Sequence, residues 1–263
     1  MPRSVLAAEL AGLITARAER CGLVGLFFDY DGTLVDIVPR PEDARAPESL
    51  RQALGNLARL PRVRLAIVTG RSLASLRELA GPLPGCVVAA NGGFHLQGAD
   101  GDWIHPGVEP LVPLLQAHAS ALARVVDQHP GTQLEDKELS LSVHFRRAPE
   151  ARDALDEAVR ECVQATPGLF RVLEGKAIFE IQPAIDWDKG KALDLLCDRW
   201  HVSESAVFFG DDRIDEPAFV AVRARGGLGC HVGVTDSESA AELQIATVAE
   251  MRALIARLGT RLA

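Results

Sequence analysis

Long apolar segments are absent from this sequence. No uninterrupted hydrophobic run in the 263-residue chain reaches the length of a membrane-spanning helix or of a signal-peptide core. Closely spaced cysteine pairs are also missing, because the five cysteines are scattered without a Cys-x-x-Cys spacing. An odd, dispersed set of cysteines argues against a disulfide framework or a zinc site and predicts a reducing compartment. We therefore expect a cytoplasmic protein.

The chain also lacks an excess of positive charge. Its 36 acidic and 28 basic residues give a formal net charge of −8. This balance disfavours broad binding to nucleic acid or to an anionic membrane surface. Internal repeats and low-complexity segments are absent, and the apolar content of 48% is typical of a globular protein. The sequence does not determine the oligomeric state, and a monomer is compatible with it.

What the chain does contain is an alternation of short apolar runs and helical segments. Three runs are predicted to be buried strands of a parallel sheet, at residues 24–28, 64–69 and 86–91. A hairpin with its turn at 98–101 is predicted to follow them. The first 20 residues are predicted to form an amphipathic helix. The residues on its apolar side would be Leu6, Leu10, Leu13 and Ile14.

The pattern changes near residue 107. Up to residue 185 the chain is predicted to contain two helices and four antiparallel strands, in the order α-β-β-α-β-β. Polar and apolar residues alternate strictly along the predicted strand at 139–146, which gives the sheet one apolar and one polar face. From residue 186 the first pattern returns. We predict an α/β protein with a doubly wound, parallel-sheet core of Rossmann type, formed by residues 1–106 and 186–263, and a smaller inserted α+β domain at 107–185.

Two aspartates follow the first predicted core strand. Asp29 and Asp31 are separated by one residue, and Gly32 and Thr33 come directly after them. Two carboxylates that lie close together repel each other unless a cation or a proton compensates. Hard oxygen ligands of this kind suit Mg²⁺. The same residues are also consistent with a strand end and an ordinary Asp-Gly turn.

Other polar residues occupy equivalent places along the chain. Thr69 ends the second predicted strand, Lys189 begins the helix after the insertion, and Asp211 and Asp212 follow a later strand. In an open α/β sheet the carboxyl ends of separate strands meet along one edge, where ligands bind. Each residue alone also fits a structural role, but their joint placement predicts a single site.

These stretches resemble the four motifs of the haloacid-dehalogenase-type phosphatases. The matching segments, which span most of the chain in the family's order, are DYDGT at 29–33, TGR at 69–71, KG at 189–190 and GDDRIDE at 210–216. The insertion lies between the second and third motifs, where the sugar-phosphate branch of that superfamily carries a cap domain. Three further segments resemble the cap of trehalose-6-phosphate phosphatases, namely LEDK at 134–137, HFR at 144–146 and GKAIFEIQP at 175–183.

The resemblance implies a role for each motif residue. Asp29 would be the nucleophile that forms an aspartyl phosphate, and Asp31 would be first general acid and then general base. Mg²⁺ would be held by Asp29, the Asp31 backbone carbonyl and Asp211, with Asp212 in its outer shell or as a further ligand. Thr69, Lys189 and backbone N–H groups near Gly32 and Thr33 would bind the phosphoryl oxygens.

On the predicted cap, the resemblance implies contacts to a sugar. The residues implied to hydrogen-bond its hydroxyl groups are Lys137, His144, Arg146 and Glu180. A plain solvated sheet face is the alternative interpretation of this polar surface. Closure of such a domain over the core would exclude bulk water, as lids do in other enzymes.

Several positions have a structural interpretation or depart from the family pattern. Arg71 is expected to pair with a nearby carboxylate and is not predicted to be catalytic, and Asp215 is equally consistent with a helix-terminal charge. Thr69 stands where the family usually has serine, and Ile214 stands where it has threonine. The loop that begins at Asn91 reads Asn-Gly-Gly in place of an Asn-His-Gly-type turn.

The activity that the resemblance implies is Mg²⁺-dependent hydrolysis of trehalose 6-phosphate. A phosphatase for another glycosyl phosphate, such as glucosylglycerol phosphate or a mannosyl or glucosyl phosphoglycerate, remains an alternative, and so does a phosphomutase. Two classes of non-enzyme use related sites: a phosphoacceptor of the response-regulator type, and a sugar-phosphate sensor. An acid at Asp31 and an insertion of this size argue against the phosphoacceptor.

Overall fold

A computed structural model describes residues 1–99, 101–175, 177–234 and 238–263. The predicted turn at 98–101 includes Asp100, and the GKAIFEIQP segment includes Lys176, so these two residues lie outside the described part. The chain divides into two compact units, one formed by residues 1–103 and 187–263 and the other by residues 104–186. Among the described residues, no helix is both long and apolar enough to cross a bilayer.

Thirteen strands and eight α-helices make up the described chain. The strands are β1 (Arg3–Ser4), β2 (Val24–Phe28), β3 (Val63–Val68), β4 (Val87–Ala90), β5 (His95–Gly98), β6 (Gly101–Ile104), β7 (Gln133–Asp136), β8 (Leu141–His144), β9 (Phe170–Gly175), β10 (Ile178–Pro183), β11 (Ala206–Gly210), β12 (Leu228–Val232) and β13 (Leu243–Ile245). The helices are α1 (Ala7–Cys21), α2 (Glu48–Ala58), α3 (Leu73–Ala80), α4 (Val112–Val126), α5 (Arg152–Ala165), α6 (Lys189–Trp200), α7 (Glu216–Ala224) and α8 (Val248–Arg261). Short 3₁₀ turns connect several of them.

The larger unit is built on a nine-stranded sheet in the order β1-β13-β12-β11-β2-β3-β4-β5-β6. Its strands from β13 to β4 run parallel, which confirms the predicted α/β class. After β2 the chain forms the strands on one side of it, β3 to β6, and after the insertion it returns to form β11, β12 and β13 on the other side, where β1 is the edge strand. The sheet therefore has a topological switch point between β2 and β11, and ligands bind at such points in open α/β sheets.

Both faces of this sheet are buried under helices. In β2 the side chains of Leu26 and Phe28 pack on one layer, which includes α1, α2 and α8, whereas Phe27 packs on the other, with α6 and α7. Burial on both faces explains why these strands appear in the sequence as continuous apolar runs rather than as an alternation.

The smaller unit contains a four-stranded antiparallel sheet in the order β7-β8-β10-β9. One face packs against α4 and α5, and its core includes Leu141, Val143, Phe179 and Ile181. Leu141, Val143 and Phe145 lie in the core of this unit as predicted, but Ser140 and Ser142 on the predicted polar side are also buried. The strand β8 itself covers only Leu141–His144.

The N-terminal helix differs from the prediction. Residues Arg3–Ser4 form a short strand that pairs with β13, and α1 begins only at Ala7. Leu6 is 69% exposed and Leu13 is 40% exposed. Leu10 and Ile14 are buried as predicted, and Ala11 and Ala18 complete the buried side of α1. Small alanines allow close approach to neighbouring elements, so the stripe of large residues marked the buried side only in part.

Candidate active site

The site begins at the carboxyl ends of β2 and β11, the two strands that flank the switch point. Asp29 directly follows β2, and Asp211 directly follows β11. The two strands are parallel neighbours, and the Asp29 backbone N–H donates to the Phe209 carbonyl oxygen at 2.8 Å. Parallel pairing of adjacent strands thus places the first and last acidic motifs at the same edge of the sheet.

The turn after Asp29 is shaped around Asp211. Gly32 has a φ of +80°, and a Cβ atom at this position would lie 2.0 Å from Asp211 Oδ2. The Thr33 hydroxyl donates to Asp211 Oδ1 at 3.3 Å. The glycine therefore serves two physical requirements, a left-handed backbone and space for a carboxylate.

Lys189 is the first residue of α6, and its ammonium is almost completely buried, with 4% of the side chain exposed. Nζ donates to Asp29 Oδ1 at 2.6 Å and to Asp215 Oδ1 at 2.6 Å. Burial alone would lower the pKa of Lys189, but the charges of the two carboxylates outweigh it and hold the pKa above the ordinary value of 10.5. The lysine is therefore a fixed positive charge against the predicted nucleophile.

Asp215 has a larger part in the site than its sequence position indicated. Its side chain is fully buried, and its Oδ2 accepts hydrogen bonds from the backbone N–H groups of Asp211 and Asp212 at 3.0 and 3.1 Å. A Cβ atom on Gly210 would lie 2.5 Å from the Asp215 carboxyl carbon. Two features of the sequence could have indicated this role: Asp215 lies four residues after Asp211, and Gly210, directly before Asp211, leaves room for the Asp215 carboxyl group.

Asp212 does not join the acidic cluster. Its side chain is exposed, and Oδ1 accepts a hydrogen bond from the backbone N–H of Arg213 at 2.6 Å. Among the described residues, the group whose oxygens converge consists of Asp29, Asp211 and Asp215. The structure therefore places Asp215, rather than Asp212, beside the other two carboxylates. The physical reason is that Asp212 caps the turn that follows it.

The three converging carboxylates fit a divalent cation. One oxygen from each residue lies within 4.8 Å of the others, and an octahedral Mg²⁺ ion bonds oxygen at about 2.1 Å, so it can bridge such a span with little adjustment. Burial raises the pKa of Asp29 well above its ordinary value of 3.8, although the Lys189 ammonium opposes this shift. Burial, together with the charges of Asp215 and Asp212, raises the pKa of Asp211 to about 7. The single Lys189 ammonium does not balance the three carboxylates, and a bound cation would supply the missing positive charge.

Asp31 is paired with an arginine. Arg71 Nε contacts Asp31 Oδ2 at 2.6 Å, and an Arg71 terminal nitrogen contacts Oδ1 at 2.7 Å, which makes a bidentate ion pair. The same guanidinium donates to the Pro41 carbonyl oxygen at 2.9 Å and lies 5.8 Å from the centre of the Tyr30 ring. The Asp31 side chain is 37% exposed and is not a member of the described cluster. Sequence reasoning did not include Arg71 in the site.

Thr69 directly follows β3, the strand next to β2, and is buried. Its hydroxyl oxygen accepts a hydrogen bond from the Arg71 backbone N–H at 3.2 Å. This bond holds the Thr-Gly-Arg turn closed and leaves the hydroxyl hydrogen free to donate to another group.

The residues predicted to bind sugar occupy the smaller unit. Lys137 Nζ lies 3.5 Å from Glu180 Oε1, and His144 Nε2 lies 3.0 Å from Glu135 Oε2, so two polar pairs cross the sheet. Glu135 was not predicted, although its place in the LEDK segment was a signal. Arg146 is exposed in the turn after β8 rather than on the strand, so the structure does not bring it together with the other three.

The fold and the site define a class. A doubly wound α/β sheet with an α/β insertion, and a lysine held between aspartates at the switch point, is the architecture of haloacid-dehalogenase-like phosphatases with a cap. Solved structures share the fold: the C-terminal domain of Candida albicans trehalose-6-phosphate phosphatase has a TM-score of 0.76 at 19% identity and covers 99% of this chain and 98% of that chain. A trehalose-6-phosphate phosphatase related protein has a TM-score of 0.74 at 24% identity and covers 90% of this chain and 97% of that chain.

The trehalose-phosphatase family model matches residues 27–249, and the chain belongs to this family of phosphoric monoester hydrolases. A relative from Oryza sativa subsp. japonica, "Probable trehalose-phosphate phosphatase 4", is 32% identical over 252 residues, which cover 92% of this chain and 68% of the relative. The trehalose-phosphate phosphatase of Mycobacterium tuberculosis H37Rv is 36% identical over 234 residues, or 86% of this chain. The match spans 57% of the mycobacterial protein's length.

Proposed function

We propose that this protein is a Mg²⁺-dependent phosphatase that hydrolyses trehalose 6-phosphate to trehalose and phosphate through an aspartyl phosphate. The observation that carries the proposal is the buried contact of Lys189 with Asp29, next to Asp211, at the switch point of a chain that belongs to the trehalose-phosphatase family. Relatives from a plant and from mycobacteria carry the trehalose-phosphate phosphatase name.

The first chemical step would form a bond between an Asp29 carboxylate oxygen and phosphorus. The bond from phosphorus to the sugar oxygen breaks, and this oxygen takes a proton from Asp31. Lys189 and the Thr69 hydroxyl would contact the phosphoryl oxygens as negative charge develops on them. Because Asp31 is paired with Arg71 in the structure, we expect this ion pair to loosen before Asp31 can carry the proton.

The second step would release the phosphate. A water molecule loses a proton to Asp31 and attacks phosphorus, the bond from phosphorus to Asp29 breaks, and the free carboxylate is restored. Asp29 and Asp211 are the residues that would hold Mg²⁺, with the Asp31 backbone carbonyl as predicted. When bound, the ion offsets the repulsion between a carboxylate nucleophile and a phosphate dianion. Asp215 has hydrogen-bond donors at both oxygens, so we assign it mainly to holding Lys189 and the Asp211 loop.

Substrate choice is assigned to the smaller unit. We propose that Lys137, His144 and Glu180, together with Glu135, hydrogen-bond the sugar hydroxyls, because they form a polar row on the sheet face opposite α4 and α5. We also propose that the protein acts in a reducing compartment, as the scattered cysteines of the sequence predict.

The test is a substrate panel with purified protein, measured with Mg²⁺ and with a chelator. We expect phosphate release from trehalose 6-phosphate to exceed clearly that from glucose 6-phosphate, glucosylglycerol phosphate and a glucosyl phosphoglycerate, and to stop without the metal. Comparable rates on all substrates would contradict the proposed specificity. An isomerised sugar phosphate in place of free phosphate would instead identify a phosphomutase.

A further inference from the structure

Asn91 has a buried side chain whose polar atoms are unused by the described protein. The residue is 7% exposed, and neither Oδ1 nor Nδ2 forms a hydrogen bond with a residue that the structure describes. Most buried polar side-chain atoms have a partner, so each exception calls for an explanation. An amide carries two N–H donors and a carbonyl acceptor, which makes Asn91 a candidate for binding a group that is not part of the chain.

The backbone at Asn91 is also unusual. Its φ is +51°, and those of Gly92 and Gly93 are +67° and +94°. Asparagine and glycine are the residues that tolerate this left-handed region, and residues held there concentrate at functional sites. A run of three such residues fixes the position at which the Asn91 side chain leaves the backbone.

The loop that carries Asn91 lies between two predicted phosphate-binding groups. On one side, the Asn91 N–H donates to the Arg71 carbonyl oxygen and the Gly92 N–H donates to the Thr69 carbonyl oxygen, both at 2.8 Å. On the other side, Gly93 packs on α6: a Cβ atom at Gly93 would lie 2.2 Å from the Cβ of Ala192, three residues after Lys189. The loop is thus in contact with the Thr69 turn and with the first turn of the helix that Lys189 begins.

Asn91 also follows the end of a core strand, as three of the proposed site residues do, at the same edge of the sheet. The strands β11, β2, β3 and β4 are neighbours, and their carboxyl ends are followed by Asp211, Asp29, Thr69 and Asn91 respectively. Of these four residues, Asn91 is the one for which the proposed mechanism has no role.

We propose that Asn91 is a further phosphoryl-binding residue, whose Nδ2 group donates a hydrogen bond to a non-bridging oxygen of the bound phosphoryl group. This inference rests on the proposed phosphatase function. A neutral amide suits the position, because its N–H groups can donate to a phosphoryl oxygen without adding a charge that would pair with the carboxylates at this edge of the sheet. An amide that is buried and fixed by its backbone needs little rearrangement when the anion binds.

The Asn91→Gly variant tests phosphate binding while keeping the backbone conformation that the fold requires. Glycine accepts the left-handed backbone without strain, so the variant removes the amide and keeps the loop conformation accessible. The probe is inorganic phosphate, titrated calorimetrically into protein saturated with Mg²⁺. We expect the Kd for phosphate to rise about tenfold or more, since the lost hydrogen bond is to a charged group. We also expect a Tm equal to or above that of the wild type.

The matched control is Asn56→Ala, which removes the exposed side chain of the other asparagine in the chain, on α2; we expect no change in Kd. Asn91→Asp is the second variant, because it keeps the shape and adds a negative charge, and we expect it to bind phosphate more weakly still. Should Asn91→Gly fail to fold, Asn91→Asp carries the same test.

The outcomes separate this inference from the proposed function. A wild-type protein that does not hydrolyse trehalose 6-phosphate, combined with weakened phosphate binding in the Asn91 variants, would remove the substrate assignment and support the role of Asn91. Unchanged phosphate affinity in the variants would overturn that role, whatever happens to turnover. A loss of affinity for trehalose 6-phosphate alone would also overturn it, because Asn91 would then contact the sugar.

Discussion

The buried Lys189 ammonium lies between two carboxylates, and their contributions can be separated by substitution. Asp29 is the proposed nucleophile, whereas Asp215 binds Lys189 and two backbone N–H groups. Asparagine at position 215 would keep an oxygen acceptor for the backbone but remove the charge opposite the lysine. A buried ion that loses a partner is strongly destabilising.

We therefore predict that Asp215→Asn lowers the free energy of unfolding by about 3 kcal/mol, as measured by urea denaturation. Asp212→Asn is the control, since the Asp212 side chain is exposed and lies outside the cluster. Its effect should stay within about 0.5 kcal/mol, apart from a small loss of helix capping. Equal effects of the two variants would contradict the structural distinction between them.

The raised pKa of Asp211 predicts how stability depends on pH. The pKa is about 7 in the folded protein, against an ordinary value of 3.8, so the folded state binds this proton more tightly than the unfolded state does. The stability that this group contributes is complete below about pH 4 and is lost as the pH rises towards 7. The raised pKa of Asp29 acts in the same direction.

Without metal, the Tm should therefore fall between about pH 5 and about pH 8, and Asp211→Asn should reduce that fall. Mg²⁺ binds the ionised carboxylate, so the rise in Tm on adding Mg²⁺ should be larger at the higher pH. Thermal melts with a chelator and with Mg²⁺ provide both comparisons. A larger effect of Mg²⁺ at the lower pH would contradict this account.

Among the structural elements, the turn after β2 depends most directly on the absence of a side chain. At Gly32 a Cβ atom would enter the space of the Asp211 carboxylate, and the backbone is left-handed. Gly22 has nearly the same φ, +79° against +80°, but a Cβ atom there would have no neighbouring atom within 4 Å. The two glycines thus separate the effect of backbone conformation from that of the close contact.

We predict that Gly22→Ala destabilises the protein by about 1–2 kcal/mol, the cost of a left-handed alanine. Gly32→Ala should cost more than this and should also reduce Mg²⁺-dependent turnover at least tenfold. The checks are urea denaturation and initial rates with saturating substrate. If both variants lost the same stability and retained full activity, the close packing of the turn on Asp211 would not matter.

The elements also show which features a sequence can reveal. The core strands were predictable because burial on both faces requires continuous apolar runs, as in Val24–Phe28. The strand Arg3–Ser4 was not predictable, because this two-residue strand is formed by pairing with β13, which is about 240 residues away. The buried side of α1 was predicted only in part: Leu10 and Ile14 are buried as expected, but Ala11 and Ala18 are small and do not mark a hydrophobic stripe.

The same limit applies to the site. Asp29, Lys189 and Asp211 were predictable from their places at strand ends and at a helix start. Whether Asp212 or Asp215 joins the acidic cluster was not predictable, because this depends on which of the two side chains turns inward after Gly210. Arg71 was expected to pair with a carboxylate, but its partner Asp31 lies on a loop 40 residues away, and nothing in either loop alone indicates which carboxylate it is.

For the whole molecule, the proposed division of labour assigns the phosphoryl chemistry to the larger unit and sugar recognition to the smaller one. The Lys137–Glu180 pair lies in the smaller unit, whereas the three aspartates of the cluster belong to the larger one. Lys137→Ala should therefore raise the KM for trehalose 6-phosphate about tenfold or more, because it removes a charged hydrogen-bond donor.

The matching measurement is hydrolysis of p-nitrophenyl phosphate, which carries no sugar and should proceed at the wild-type rate. Arg160→Ala, an exposed substitution on α5 with its side chain 66% accessible, is the control and should alter neither reaction. Equal loss of activity on both substrates in Lys137→Ala would argue against a role confined to the sugar.

The central claim, that a phosphoryl group passes through Asp29, has one direct measurement. Protein with Mg²⁺ is mixed with trehalose 6-phosphate, quenched with acid during turnover and analysed by intact mass and peptide mapping. We predict that a fraction of the wild-type protein gains the mass of one phosphoryl group, located on the peptide that contains Asp29, and that Asp29→Asn gains none and is inactive. A phosphoryl group on another residue, or an active Asp29→Asn variant, would contradict the account.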